Sequence, residues 1–235
     1  MKLLILTTNT DHHNYFLNRL KINDSNLFVI YEKKKIKNLY KRNHKLLYQK
    51  ANYEKKIFNN LSFKRNLLKI NIFDLNSDKA INCINEISPN IIILFGTNIL
   101  NKKFLNKIKT KTILNLHGGD PEHYRGLDSI FWTIFHNDYK RLFTTLHKVN
   151  SKVDTGDIFE KIKIQVNKKT TLLNIGVNNT NNCIKLVNKY IFRKKNKNKI
   201  FFRKQNNLGR YYSAIPKTLI DICNKNLKNY VKKKN

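Results

Sequence analysis

Hydrophobic residues in this chain gather in short continuous runs, separated by stretches with helical spacing. One run covers 2–7, a second 27–31, a third 91–95 and a fourth 112–117. Runs this short, rich in Ile, Leu and Val and bounded by polar residues, predict strands buried on both faces. Tyr15, Phe16, Leu17 and Leu20 mark a short helix after the first. Leu127, Ile130, Phe131, Ile134 and Phe135 recur at i, i+3, i+4, i+7 and i+8, which predicts a helix packed on the sheet beneath the end of the fourth run. Trp132 beside them reads as core or edge packing. Residues 142–148 and 158–166 alternate like strands, and 171–192 reads as a helix. Residues 200–203, 209–213 and a last helix from Pro216 form a small C-terminal extension. The pattern predicts an α/β fold: a Rossmann-like, mostly parallel sheet with helices on both faces, plus that extension. A catalytic domain over 1–195 and an extension over 196–235 are expected.

Segment 33–68 is long and basic, yet Ile36, Leu39, Tyr40, Leu46, Leu47, Ile57, Phe58 and Leu61 fall near helical spacing. It reads as an insertion of one or two helices packing on the domain with lysines outward. The alternative is an RNA- or membrane-facing arm.

Charge alters the picture less than its size suggests. The chain of 235 residues carries 47 Lys+Arg against 15 Asp+Glu, a formal +32. Such a balance points to nucleic acid or an anionic surface. The lysines, however, lie along every segment, and abundant Lys, Asn and Ile beside scarce Pro, Gly and Trp match an AT-rich coding sequence. An anionic small substrate would still be drawn in. The basic end at 232–234 reads as frayed. Cys83, Cys183 and Cys223 are far apart and read as reduced thiols of a cytoplasmic protein. No run reaches the length of a membrane span, and the opening run is too short for a signal segment.

Ligands of parallel sheets bind beyond the carboxyl ends of the strands. The fourth run ends there in Asn115-Leu116-His117, with its amide and imidazole two apart and therefore on one face. Asp154 arrives from the loop after the next strand. Amide, imidazole and carboxylate together can stabilise an oxyanion, move a proton and hold the imidazole in one orientation. Singly, Asn115 could cap a turn, His117 could be structural and Asp154 could be a turn former. His147 has the opposite parity from Thr144 and Leu146 and is expected beside the site, in support. His12 and His13 follow the first strand, where they would line the substrate mouth, His12 on the substrate side, or simply stand in solvent. A metal cluster of His117, Asp120 and His123 matches no zinc spacing, so no metal is expected.

Gly96, Ile99-Leu100, Asn115-Leu116-His117, Tyr124-Arg125-Gly126, His147 and Val153-Asp154-Thr155-Gly156-Asp157-Ile158 follow one another in order. Over the first two-thirds of its length the chain resembles the N-terminal domain of the folate-dependent formyltransferases. That family includes the glycinamide ribonucleotide, methionyl-tRNA and sugar-nucleotide N-formyltransferases. The resemblance implies that 10-formyltetrahydrofolate is the co-substrate and that an amine attacks its formyl carbon. Asn115 would donate to the oxyanion. His117 would transfer a proton or serve as a cationic donor. Asp154 would orient the imidazole and, through water, help deprotonate the amine. Folate would lie along Asn98, Ile99 and Leu100 and the loop from Val149 to Val153. Tyr124, Arg125 and Gly126 would stand on the substrate side.

Departures narrow the acceptor. Gly118 and Gly119 follow His117 where the family commonly has proline, and Pro121 sits one place early, so the path of that loop is in question. Residues 7–13 contain no glycine, which removes the phosphate cradle of the glycinamide ribonucleotide enzymes. Some seventy residues follow Val166, too few for the β-barrel domain of the methionyl-tRNA enzymes. The expected function is therefore N-formylation of a small, anionic amine, an amino-sugar nucleotide. Alternatives are a shortened methionyl-tRNA formyltransferase, or a non-catalytic folate- or RNA-binding protein of the same fold. A homodimer is left open.

Overall fold

The computed structural model describes residues 1–35, 43–60, 65 and 67–233. Among these, nine strands form: β1 (Leu3–Thr7), β2 (Leu27–Glu32), β3 (Lys69–Ile72), β4 (Ile91–Phe95), β5 (Ile113–His117), β6 (Tyr124–Gly126), β7 (Phe143–Lys148), β8 (Ile158–Lys163) and β9 (Arg210–Tyr212). The main sheet has the order β3-β2-β1-β4-β5-β7-β8. Its first five strands are parallel, and β7 and β8 each run antiparallel to the strand before them in that order. Strand order reverses at β1, the crevice position favoured for ligands in open α/β sheets. The described helices are α1 (Asp11–Asn18), α2 (Lys45–Asn60), α3 (Asp78–Ile87), α4 (Lys102–Lys107), α5 (Ser129–Phe135), α6 (Ile175–Lys195) and α7 (Ile220–Lys232). No described helix is long and apolar enough to cross a membrane.

The alternation of buried residues along each strand feeds two cores. Leu3, Ile5, Val29, Ile93, Leu114 and Leu116 meet Phe16 and Leu17 of α1 and Cys183, Leu186 and Val187 of α6 on one face. Leu4, Leu6, Ile92 and Leu94 meet Ile81 and Ile84 of α3 and Phe104 of α4 on the other. The short helices start at conventional caps: Ser77 Oγ accepts from Ala80 N–H in α3, and Asn101 Oδ1 from Phe104 N–H in α4.

Three elements differ from the sequence pattern. The edge strand β3 and helix α3 lie between segment 33–68 and the third run, where no element was expected. β3 is only four residues long and mostly unburied, so it carries no apolar run. Helix α5 packs chiefly against α7, with Leu142 and Ile164 at the end of the β7–β8 hairpin, and not beneath the main sheet. In segment 33–68, α2 packs on α1, its Phe58 fully buried 4.8 Å from the Tyr15 ring. Ile36, Leu39, Tyr40 and Leu61 lie outside the described residues, as does Lys234 of the basic end. In the C-terminal part, β9 pairs in parallel with β6, alongside the Tyr124-Arg125-Gly126 motif.

Candidate active site

Strand register builds the site. β5 aligns Leu94 with Asn115 on its parallel neighbour, so Asn115 and His117 face the α3–α4 side of the sheet. On its antiparallel neighbour, β5 sets Asn115 opposite His147 and His117 opposite Thr145. Cross-strand partners share a face. The 149–157 loop then folds back and delivers Asp154 in a left-handed conformation, φ 54°.

Asp154 is the hub. Its Oδ1 accepts from Asn115 Nδ2 at 3.1 Å, and its Oδ2 from Gly126 N–H at 2.8 Å. His147 Nε2 stands 3.4 Å from Oδ1, and His117 Nδ1 3.5 Å from Oδ2. The carboxylate is 8% exposed. Burial alone would favour its neutral form, but the imidazoles of His117 and His147 and the Gly126 amide outweigh that and hold its pKa well below the usual carboxylate range.

The imidazole hydrogens are set by carbonyl partners, which can only accept. His117 Nε2 donates to Tyr124 O at 2.8 Å, leaving Nδ1 toward Asp154. His147 Nδ1 donates to Lys148 O at 2.7 Å, leaving Nε2 toward Asn115 Nδ2 at 3.3 Å and toward Asp154. His147 is thus in direct contact with two of the three central groups. Sequence parity placed it near the site, but only the antiparallel β5–β7 register makes it Asn115's partner.

The remaining expected residues divide. Gly126 lines a cavity of about 220 Å³ with His117, His12, Phe95, Lys50, Glu54 and Asn179. His12 lies on the wall of this cavity. Its pKa is lowered to about 4, first by burial and then by the Lys50 charge. Lys50 and Glu54 of α2, which no motif marked, form an ion pair on the cavity wall. Tyr124 reaches His117 through its backbone, while its ring stacks on Tyr212 and its hydroxyl donates to Asp138. Arg125 donates to the carbonyls of Gly209 and Val153. Leu100 and Val149 join the apolar cluster on the Asn115 face, whereas Ile99 is 60% exposed. Asn98 is held by Glu32 and by the Lys34 carbonyl. A larger cavity of about 710 Å³ includes Val149, Ile113, Leu105 and Ile108 but none of Asn115, His117 and Asp154.

The loop after His117 has its own anchors in place of prolines. Asp120 is fully buried and accepts from Lys161 Nζ at 2.8 Å, and the same ammonium reaches Glu122 at 2.7 Å. Thr145 donates to Gly119 O at 2.7 Å. Asp120 and His123 thus belong to this ion cluster, apart from the Asp154 hub.

Amide, imidazole and carboxylate are thus gathered over β5 of a mostly parallel sheet. The formyl transferase family model matches residues 1–181, and the chain belongs to the formyl transferase family. A methionyl-tRNA formyltransferase from Rickettsia felis is 29% identical over 121 residues, 52% of this chain and 40% of the relative. The matched segments span less than half the length of the curated relatives. Among solved structures, an N-formyltransferase from Helicobacter canadensis, in complex with folinic acid and dTDP-3-aminofucose, aligns with TM-score 0.58 and 21% identity, covering 91% of this chain and 71% of that one. A 4-N formyltransferase from Francisella tularensis aligns with TM-score 0.61 and 17% identity, covering 91% and 76%.

Proposed function

We propose that this protein moves a formyl group from 10-formyltetrahydrofolate to a primary amine, and that the acceptor is an amino-sugar nucleotide. The observation that carries the reading is the Asp154 carboxylate held among Asn115, His117, His147 and the Gly126 amide, with His117 and Gly126 opening onto a cavity. The co-substrate supplies the formyl carbon. The new bond forms from the amine nitrogen to that carbon, the bond to the folate nitrogen breaks, and one proton passes from amine to folate.

Asn115 donates an amide hydrogen to the developing oxyanion. Both its hydrogens face Asp154 and His147 in the structure, so one turns outward as the substrates arrive. His117 carries the proton on Nδ1 between the reacting centre and Asp154, while its Nε2 bond to Tyr124 fixes the ring. Asp154 holds that imidazole and, through water, helps draw the proton from the amine on its way to the folate nitrogen. The apolar surface of Leu100 and Val149 fits the flat face of a pterin, and the loop to Val153 flanks it. His12, Tyr124, Arg125 and Gly126 bound the acceptor side. The cytoplasm, where folates and nucleotide sugars occur together, is the expected compartment.

The sugar assignment is supported by the structural neighbours, whose described ligands include dTDP-3-aminofucose and UDP-4,6-dideoxy-4-formamido-L-AltNAc. The Rickettsia relatives favour a second reading, methionyl-tRNA as acceptor. Purified protein supplied with 10-formyltetrahydrofolate and either dTDP- or UDP-linked amino sugars or methionyl-tRNA separates the two. Tetrahydrofolate release dependent on an amino sugar is expected. Release dependent only on methionyl-tRNA would replace the sugar assignment.

A further inference from the structure

Asp154 sits in an unfavourable left-handed conformation, φ 54°, on a loop whose own hydrogen bonds do not reach the Asp154 carbonyl. A non-glycine residue held there persists only where its surroundings over-determine it. The loop's internal bonds tie Lys152 N–H and Thr155 to Asn150, and Thr155 to the Lys152 carbonyl, leaving the Asp154 and Gly156 carbonyls to be met from elsewhere. Both are met by one side chain. Gln205 Nε2 donates to Asp154 O and to Gly156 O, at 2.9 Å each. Two carbonyls can only accept, so the amide orientation is settled: the NH₂ faces the loop. Gln205 Oε1 is buried and has no partner among the described residues, so the NH₂ alone grips the loop.

The segment bearing Gln205 is itself fastened to the other half of the site. Arg203 makes a two-pronged pair with Glu122, at 2.7 Å on each side, and Asn206 N–H donates to Glu122 at 2.8 Å. Arg203 also bridges backbone to backbone with Ile158, immediately after the Asp154 loop. Further on, Gly209 O accepts from Arg125, and β9 pairs with β6, whose Gly126 amide holds the Asp154 carboxylate.

We infer that the 203–212 segment belongs to the active site as its positioning clamp, with Gln205 the positioning residue that holds Asp154 in register with Asn115 and His117. Gln205 touches no reacting group and acts through the Asp154 backbone. The catalytic consequence rests on the function proposed above, while the geometric one does not.

Three variants test it: Gln205→Ala, Gln205→Glu, whose carboxylate would face two carbonyls, and Phe201→Ala as an exposed residue just outside the clamp. Two quantities are read. One is kcat and the amine KM in folate-dependent formyl transfer. The other is hydrogen exchange of the Gly126 amide, which is protected only while the Asp154 carboxylate is in place, with the β4 amides as a gauge of global stability. Both Gln205 variants should lower kcat roughly 10- to 100-fold, with the amine KM within about twofold. They should speed Gly126 exchange without altering β4, and Phe201→Ala should match the wild type. Unchanged Gly126 exchange in both Gln205 variants overturns the inference, and so does parallel acceleration of Gly126 and β4, which marks mere unfolding. Should the wild-type protein release no tetrahydrofolate with any amine, the proposed function fails, and Gly126 exchange still decides whether Gln205 holds Asp154.

Discussion

Asp154 ties its loop to three other chain segments, β5, β6 and β7, through one carboxylate, and replacing it removes interactions with all three. Asp154→Asn keeps the shape but offers an N–H where His117 or Gly126 needs an acceptor. We expect kcat to fall about 100-fold or more, and His117→Ala to fall at least as far, measured as amine-dependent release of tetrahydrofolate. The same burial shapes the response to acid. His13 is buried and accepts from, or donates to, the Thr8 and Thr10 hydroxyls, and burial first, then the neighbouring His12, lowers its pKa. A folded pKa below the unfolded one means stability is intact above about 6.5, the unfolded histidine value, and is lost as pH falls toward the folded value. Glu122 is lowered mainly by its hydrogen bonds to Arg203, against burial, with Lys161 adding to the effect. Its contribution is intact above about 4.3 and is lost below it. Urea midpoints should therefore decline in two stages on acidification, and Glu122→Gln should flatten the lower stage. A single transition confined below about pH 4 would contradict the histidine part. Asn115, His117 and Asp154 were legible in the sequence because strand-end spacing and motif order mark them. His147's contacts with Asn115 and Asp154 were not, since they depend on antiparallel register, and Gln205 reaches across 51 residues with no local pattern.

Short elements around the site depend on close backbone approach. Gly126 has φ 89°, and a Cβ there would stand 2.2 Å from the Tyr212 carbonyl. Gly126→Ala should separate β6 from β9 and withdraw the amide that holds Asp154, costing about 1–3 kcal/mol of stability together with activity, as read by urea melts and turnover. Gly156 faces the Lys148 carbonyl, which a Cβ would approach to 1.9 Å, so Gly156→Ala should shift the Asp154 loop in the same way. A Gly126→Ala protein with wild-type stability and rate would show that the β6–β9 pairing is incidental. At this scale the apolar runs identified β1, β2, β4 and β5 because each is buried on both faces. They missed β3, an exposed edge. The periodicity of α5 correctly marked a buried face, but periodicity does not name the partner, which proved to be chiefly α7 from the far end of the chain.

Across the whole molecule, charge and fold act on different problems. The fold sets the site, while a formal +32 sets a field that attracts anions to it. For an acceptor with a diphosphate, kcat/KM should fall roughly tenfold between about 0.02 and 0.2 M salt, with kcat nearly constant. A tRNA acceptor, releasing many counterions, would show a far steeper decline. Composition had exposed the charge from the outset but could not distinguish a binding face from coding bias, because lysines lie along every segment. Whether the Asp154-centred group transfers a formyl carbon is decided with formyl-labelled 10-formyltetrahydrofolate and an amino-sugar nucleotide, comparing wild type with His117→Ala. Wild type should place label in an amide on the sugar with equal release of tetrahydrofolate, and the variant almost none. Equal labelling by both proteins would contradict that assignment.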